Sequence, residues 1–209
     1  MPNLLQRAWN FIHYRLIHAP RGGGKPVPAT ALDEEYRSGH WDHFTGPSEQ
    51  ARHEQLVALI YAHAPGPTLL DLGCGSGRLA AMLDPRRISE HLGVDLSEEG
   101  LARARALGLA HARFESGNFE TWRPAKPYDV ITFNECLGYA RHPAVTAAAF
   151  GRHLTPGGVL IVSHFRWGNW REIWRSVEKE FTVVATASAT NDQGQVWDLK
   201  VLRPRPPGA

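Results

Sequence analysis

The stretch Leu69-Leu70-Asp71-Leu72-Gly73-Cys74-Gly75-Ser76-Gly77-Arg78-Leu79-Ala80 decides how this chain folds. A short apolar run ends in an acidic residue, glycine then recurs at every second position, and a helical pattern follows. That order describes a strand, a tight loop and a helix N-terminus, which together bring a nucleotide-like ligand onto bare backbone. Glycine lets the chain turn there and lets a ligand approach where a Cβ would collide.

The spacing selects among ligands. A dinucleotide fingerprint reads G-x-G-x-x-G, whereas this loop reads G-x-G-x-G, with Arg78 near the place of a third glycine. Asp71 stands beside the loop. A carboxylate there repels a pyrophosphate and attracts a cationic amino-acid group. S-adenosylmethionine carries an ammonium and a sulfonium and no phosphate, so the local charge favours it as the cofactor. A nicotinamide-dependent oxidoreductase is the competing reading, and its glycine spacing and hydride-transfer pair are not found.

The chain has 209 residues, enough for one domain with a full core and a terminal extension. Its formal charge of +2 is too balanced to argue for nucleic acid or an anionic membrane as a partner. The two cysteines, Cys74 and Cys136, sit in the glycine loop and after a predicted strand. That placement suggests no structural disulfide and fits reduced thiols in a cytoplasmic protein. No apolar run approaches the roughly 18 residues of a membrane span. Arg7, His13 and Arg15 interrupt the first twenty residues, which do not read as a secretory signal.

Working outward, two parts are expected: an N-terminal helical extension and lid over residues 1–66, and a core over 67–209. Asn3 with Gln6 forms a capping pair, and Leu5, Trp9, Ile12 and Leu16 then recur at helical spacing. That stripe suits packing on the domain or a partner, or, less well, a membrane surface. Residues 20–28, with Gly22-Gly23-Gly24 inside, read as a linker. Ser48 is a candidate N-cap for a helix to about His63, with Leu56, Leu59, Ile60 and His63 on one face.

From Leu69 onward strands and helices alternate. Strands are predicted at 69–72, 91–95, 112–115, 128–133 and 158–164, with helices near 79–83, 98–107, 144–153 and 170–177. Such alternation demands right-handed crossovers and a doubly wound, mostly parallel α/β sheet. The runs 181–187 and 196–202, joined by Asn191-Asp192-Gln193-Gly194, read as an antiparallel hairpin. Seven strands in all are expected.

Three segments carry a family resemblance. Asp71-Leu72-Gly73-Cys74-Gly75-Ser76-Gly77, Gly93-Val94-Asp95-Leu96-Ser97 and Tyr128-Asp129-Val130-Ile131-Thr132-Phe133-Asn134-Glu135 match the first, second and fourth motifs of the class I S-adenosylmethionine-dependent methyltransferases. From about Asp33 to Leu202 the chain resembles that Rossmann-like superfamily, in particular the small bacterial group that includes the nodulation N-methyltransferases. The resemblance implies S-adenosyl-L-methionine as cofactor, held by Gly73, Cys74, Gly75 and Gly77 and flanked by Asp71. Asp95 ends the second strand, where a carboxylate can accept from both ribose hydroxyls, and Leu96 would pack on the adenine. Asn118, beside Phe119, falls where the family usually has an acidic residue for the adenine amino group. Its amide can serve there, or it can simply close an Asx turn.

Asn134 and Glu135 end the fourth strand, where the family's loop faces the transferring methyl group. Glu135 is a candidate base or ammonium ligand, or else an anchor for the segment Tyr36–Trp41. That segment resembles the family's lid: Tyr36, Gly39 and Trp41 would cover the cofactor, and Arg52 in the next helix would reach its carboxylate, or merely solvate a face. His40, Tyr139 and Trp167 are candidates for substrate binding. His164 is a second candidate base, or a satisfied core histidine. His40 and His43 have metal-like spacing without further ligands, so no metal site is expected.

The leading reading is methyl transfer to oxygen or nitrogen of a small metabolite, a natural-product intermediate or modified sugar. A peptide acceptor and a non-catalytic cofactor-binding partner protein are the alternatives. A monomer or homodimer is expected.

Overall fold

The computed structural model describes residues 9, 12–42 and 46–206. Strand β1 (Thr68–Leu72) lies where the apolar run places it and is buried on both faces. It pairs in parallel with β2 (Glu90–Asp95) on one side and β4 (Tyr128–Asn134) on the other. β3 (Ala112–Ser116) extends the sheet beyond β2, and β5 (Leu154–Phe165) extends it beyond β4. β7 (Val196–Pro204) then inserts antiparallel between β5 and β6 (Phe181–Thr190). The seven-stranded order β3-β2-β1-β4-β5-β7-β6 is the expected doubly wound sheet with its terminal hairpin.

Among the described residues, six α-helices frame it: α1 (Ala29–Arg37), α2 (Gln50–His63), α3 (Arg78–Met82), α4 (Glu98–Ala106), α5 (Pro143–Gly151) and α6 (Trp170–Glu180). Alternation along the strands divides the core into two layers. Leu70, Leu72, Ile131, Phe133, Leu160 and Val162 face α5 and α6, where Phe150, Ile173, Trp174 and Val177 close the layer. Leu69, Val130, Val159 and Ile161 face Leu56 and Ile60 of α2 and Leu79 of α3. Each such side chain contributes about 1.5–3 kcal/mol on burial, so the two layers are the main stabilising term.

Four local expectations are corrected. Ser48 makes no cap: a 3-10 turn at Pro47–Glu49 runs into α2, and no side chain caps either element. The buried side of α2 is Arg52, His53, Leu56 and Ile60; it keeps Leu56 and Ile60 of the expected face, while Leu59 and His63 are only half-buried and the polar pair Arg52 and His53 extends it. β5 starts earlier, at Leu154, because Pro156-Gly157-Gly158 forms an irregularity within the strand and does not end it. The apolar residues Trp9, Ile12 and Leu16 are 66%, 50% and 72% exposed, so they do not pack on the domain. Asn3, Leu5, Gln6 and His43 lie outside the described residues.

The largest correction concerns the glycine-rich linker. Gly22, Gly23 and Gly24 are buried, and residues 22–28 form a strap across the loop that follows β4. Asn169 Nδ2 donates to the Gly23 carbonyl at 2.9 Å, and the Lys25 amide donates to Gly138 O at 2.8 Å. A Cβ at Gly24 would overlap the carbonyl oxygens of Ala140 and Gly138. The triplet is there for close approach, and flexibility is not its use.

Gly24→Ala should therefore lift the strap. The expected loss is about 1–3 kcal/mol, the usual cost of overpacking, read as a lower urea midpoint, together with faster tryptic cleavage after Arg21. An unchanged midpoint and cleavage rate would show that the strap is not packed as described.

Candidate active site

Strands β1 and β4 are neighbours whose following helices leave on opposite sides, and the crevice between their loops is where an open α/β sheet takes ligands. A cavity of about 1070 Å³, counting its open mouth, occupies that place. Its floor is the loop after β1. Gly73 and Gly75 adopt φ of +68° and +54°. A Cβ on Gly73 would meet Cys136 at 2.5 Å, and one on Gly75 would meet the Tyr36 hydroxyl at 2.5 Å. Glycine is required at both by conformation and by space.

Asp95 ends β2 beside this floor, 9% exposed. Its Oδ2 accepts from the Gly75 amide and its Oδ1 from the Ser97 amide, each at 2.8 Å. Burial nevertheless pushes its carboxyl upward. Ser97 caps α4 through Gly100, so Asp95 is not needed as the helix cap. Each Asp95 oxygen keeps a further acceptor position. Leu96, Asn118 and Phe119 continue this wall. Asn118 closes an Asx turn, its Oδ1 accepting from the Glu120 amide at 2.9 Å, and still lines the cavity.

Helix α1 lies on α4. Asp33 accepts from Ser97 Oγ at 2.6 Å, Arg37 pairs with Glu99 at 3.0 Å and Arg103 pairs with Asp42 at 2.6 Å. Tyr36 and Trp41 thereby line the cavity, and burial, with Asp95 close by, pushes the Tyr36 hydroxyl well up. Trp41 donates to Glu35 at 3.1 Å, while the carboxylate of Glu135, the alternative anchor for this segment, bonds to Ser163 and to the Phe165 amide.

On the opposite wall, Arg52 is 1% exposed and donates twice to Glu49, at 2.9 and 2.7 Å, and once to Asn134 Oδ1. His53 Nδ1 lies 2.9 Å from the Glu49 carbonyl, and its Nε2 lies 3.3 Å from Asn134 Nδ2. Burial, then the charge of Arg52, pushes the His53 pKa down to about 3, so the ring is neutral. Nδ1 is its donor and Nε2 its acceptor. Asn134 is thus held through both ends of its amide. Ser163 Oγ lies 2.8 Å from Asn134 Oδ1 and 3.0 Å from Glu135 Oε1, and Glu135 Oε2 accepts from the Phe165 amide at 3.0 Å. Neither His53 nor Ser163 was read from the sequence. The helical spacing of Arg52, Leu56 and Ile60 is the one signal that points to this polar end of α2.

Of the other candidates, Cys74, Arg52, Asn134, Glu135 and Tyr139 line the cavity. Gly39 ends the turn after α1, Gly77 packs against Ala104 of α4, and neither they nor the exposed His40 line it. Trp167 is 75% exposed on the loop after β5, away from the cavity. His164 also lies outside it: Nδ1 lies 3.0 Å from the Phe165 carbonyl, and the ring sits behind Gly138 against Trp174. The strap adds Pro26 and Val27, and Leu32, Ser76, Arg78, Glu120 and Cys136 are further lining residues that were not among the candidates.

Asp71 lies beneath the floor and does not reach the cavity. It is 1% exposed, accepts from Thr132 Oγ1 at 2.7 Å and sits 3.9 Å from His91 Nε2. Burial raises its pKa to about 7 and lowers that of His91 to about 4.

A family model described as a methyltransferase domain matches residues 47–195, more than half of the chain. The chain therefore belongs to the S-adenosylmethionine-dependent methyltransferases of class I. Trans-aconitate 2-methyltransferase of Azoarcus sp. strain BH72 is 36% identical over 96 residues, covering 46% of this chain and 38% of that protein. The enzyme of the same name from Streptomyces avermitilis is 33% identical over 135 residues, covering 57% and 49%. The chain thus spans less than half the length of these curated relatives. Among solved structures, the N-methyltransferase NodS from Bradyrhizobium japonicum WM9 with S-adenosyl-L-homocysteine superposes with a TM-score of 0.72 at 20% identity, over 85% of this chain and 98% of that one.

The Asp71 site generates a pH test. The folded chain holds the Asp71 proton up to about pH 7, whereas an unfolded Asp releases it near pH 4. Asp71 therefore removes stability as pH rises from about 4 to 7, while His91, holding its proton only below about 4, acts oppositely between about 4 and 6.5. Asp71→Asn keeps the acceptor for Thr132 and deletes the first term. Its stability relative to wild type, from urea midpoints, should rise between pH 5 and pH 8. A constant difference would remove the buried ionisation from this account.

Proposed function

We propose that the chain transfers the methyl group of S-adenosyl-L-methionine to oxygen or nitrogen of a small metabolite, a natural-product intermediate or modified sugar, in the cytoplasm. One observation carries the reading: the Asp95 carboxylate and the bare Gly73–Gly75 backbone share a single cavity with Asn134 and Glu135 at the end of β4. Cofactor seat and reaction end are thus one space. The two buried free thiols support a reducing compartment.

The residues present fit the cofactor. Asp95 offers two acceptor oxygens to a ribose diol, with Leu96 and Phe119 as apolar walls for the base and Asn118 at its rim. The Nε of Arg78 is buried without a hydrogen-bond partner among the described residues, which suits the carboxylate of the amino-acid part. Arg52 lines the same cavity. When bound, the cofactor supplies a methyl carbon made electrophilic by its sulfonium. The protein's task is then to align a nucleophile with that carbon and to exclude water. Tyr36 and Trp41 from the lid, and Pro26 and Val27 from the strap, close the space. Asn134, gripped by Arg52, His53 and Ser163, is a rigid element at the reacting end. The names of the curated relatives, trans-aconitate 2-methyltransferase and ubiquinone biosynthesis O-methyltransferase, support a small-molecule acceptor.

Calorimetric titration with S-adenosylhomocysteine, run beside NADH, tests this. The first ligand alone should bind wild type in the micromolar range, and Asp95→Ala should weaken it at least tenfold, about 1.4 kcal/mol. Binding of NADH alone, or of neither ligand to protein shown free of co-purified nucleotide, would overturn the reading.

A further inference from the structure

Glu135 has a backbone unlike any other described non-glycine residue: its φ is +62°. A non-glycine side chain in that region costs of order 1–3 kcal/mol and persists where the surroundings enforce it. Here they do. Its amide donates to Ser163 Oγ at 3.1 Å, while Ser163 Oγ and the Phe165 amide each stand 3.0 Å from one of its carboxylate oxygens. The Ser163 hydroxyl has one proton, which goes to either Glu135 Oε1 or Asn134 Oδ1, while its oxygen accepts from the Glu135 amide. The carboxylate is fixed at the wall of the cavity, and each oxygen retains acceptor capacity.

The charged groups lining the cavity divide between two walls, with Arg52 reaching across to Asn134 next to Glu135. The cationic side chains lining the cavity, Arg52 and Arg78, belong to the α2–α3 wall, where they bond to Glu49, Asn134 and Gln50. On the side of the loop after β4, the ionisable lining groups are Glu135, Tyr139, Cys136 and Glu120. Glu120 accepts from the Arg141 amide at 2.7 Å. Burial, followed by the negative charge of Glu135, pushes the Tyr139 hydroxyl up to about 12, and burial pushes the Cys136 thiol up. Both are neutral, so Tyr139 presents an uncharged aromatic ring. Trp41 supplies a second ring in the same cavity, and Val27 and Leu32 the apolar remainder. Lys25 is exposed on the strap and is not part of the lining.

From this geometry we infer that the methyl acceptor is an amine, whose ammonium form is received by the Glu135 carboxylate between the rings of Tyr139 and Trp41. A fixed carboxylate with aromatic faces attracts a cation, and a carboxylate acceptor would meet Glu135 as a like charge. This rests on the methyl-transfer reading above and narrows it to nitrogen. The balance requires one proton to leave the ammonium, to Glu135 and on to solvent. The nitrogen lone pair then forms the C–N bond while the methyl C–S bond breaks with its electrons kept by sulfur, and the product is an alkylammonium.

Benzyltrimethylammonium, a cation that cannot be methylated or deprotonated, is the probe, compared with hydrocinnamate and 3-phenylpropan-1-ol. Each is titrated into S-adenosylhomocysteine-loaded protein and followed by ligand-observed NMR. The cation should bind wild type at least tenfold more tightly than hydrocinnamate. Glu135→Gln should weaken it at least tenfold, and Tyr139→Leu, which leaves the Glu135 contacts in place, about threefold. Binding of S-adenosylhomocysteine to both variants within threefold of wild type shows that the site is folded. Preference for hydrocinnamate or the alcohol, or cation binding unchanged in Glu135→Gln with the cofactor seat intact, overturns the inference. If S-adenosylhomocysteine does not bind wild type, the methyl-transfer reading fails separately, and the same titration on the unloaded protein still decides the cation site.

Discussion

Everything at the site depends on the parting of two parallel strands. β1 and β4 are hydrogen-bonded from Leu69↔Val130 to Leu72↔Phe133. Beyond that register the chains diverge, one into the glycine loop and α3, the other into the Asn134–Ala140 loop and α5. Parallel pairing with right-handed crossovers makes that divergence unavoidable, and it leaves backbone amides and strand-end side chains around one opening. Asp95, Asn118 and Glu135 come from three different strand ends, yet they meet there because the sheet sets their spacing.

The site is built on buried charge, and the fold handles it by pairing. Breaking a buried ion pair by removing one partner typically costs about 3–5 kcal/mol, whereas an apolar replacement of the whole pair is often neutral. Glu49–Arg52 is thus a poor stabiliser and a good positioner, since another of the guanidinium donors is spent on Asn134. His53, kept neutral by burial and by Arg52, reads the other end of the same amide. Asp71, Thr132 and His91 form a comparable buried group below the floor, and there the carboxyl answers desolvation by taking up a proton.

Much of this was legible in the sequence because it is governed by local rules. Short apolar runs between helical stretches, and two β-rich runs joined by a turn, place all seven strands, and the spacing of Gly73 and Gly75 places the ligand loop. Asp95 and Asn134 are legible as strand-end polar residues. The misreadings share one cause: tertiary contact overrode a local preference. Gly22–Gly24 has a linker's composition, but it is small because two carbonyls press on it. His164 and Trp167 sit at a strand end like Asn134, yet their loop turns toward α6 and solvent, away from the opening.

By itself, then, the sequence determined the sheet, the glycine loop and the class of protein, since strand pairing and loop conformation follow from residue type over a few positions. Only the tertiary structure decided which polar residues share the cavity. Arg52 and Asn134 are 82 residues apart, and Glu135 and Ser163 are 28 apart. No local pattern encodes such contacts, because they arise where a helix end and two strand ends are brought together by packing of the layers beneath them.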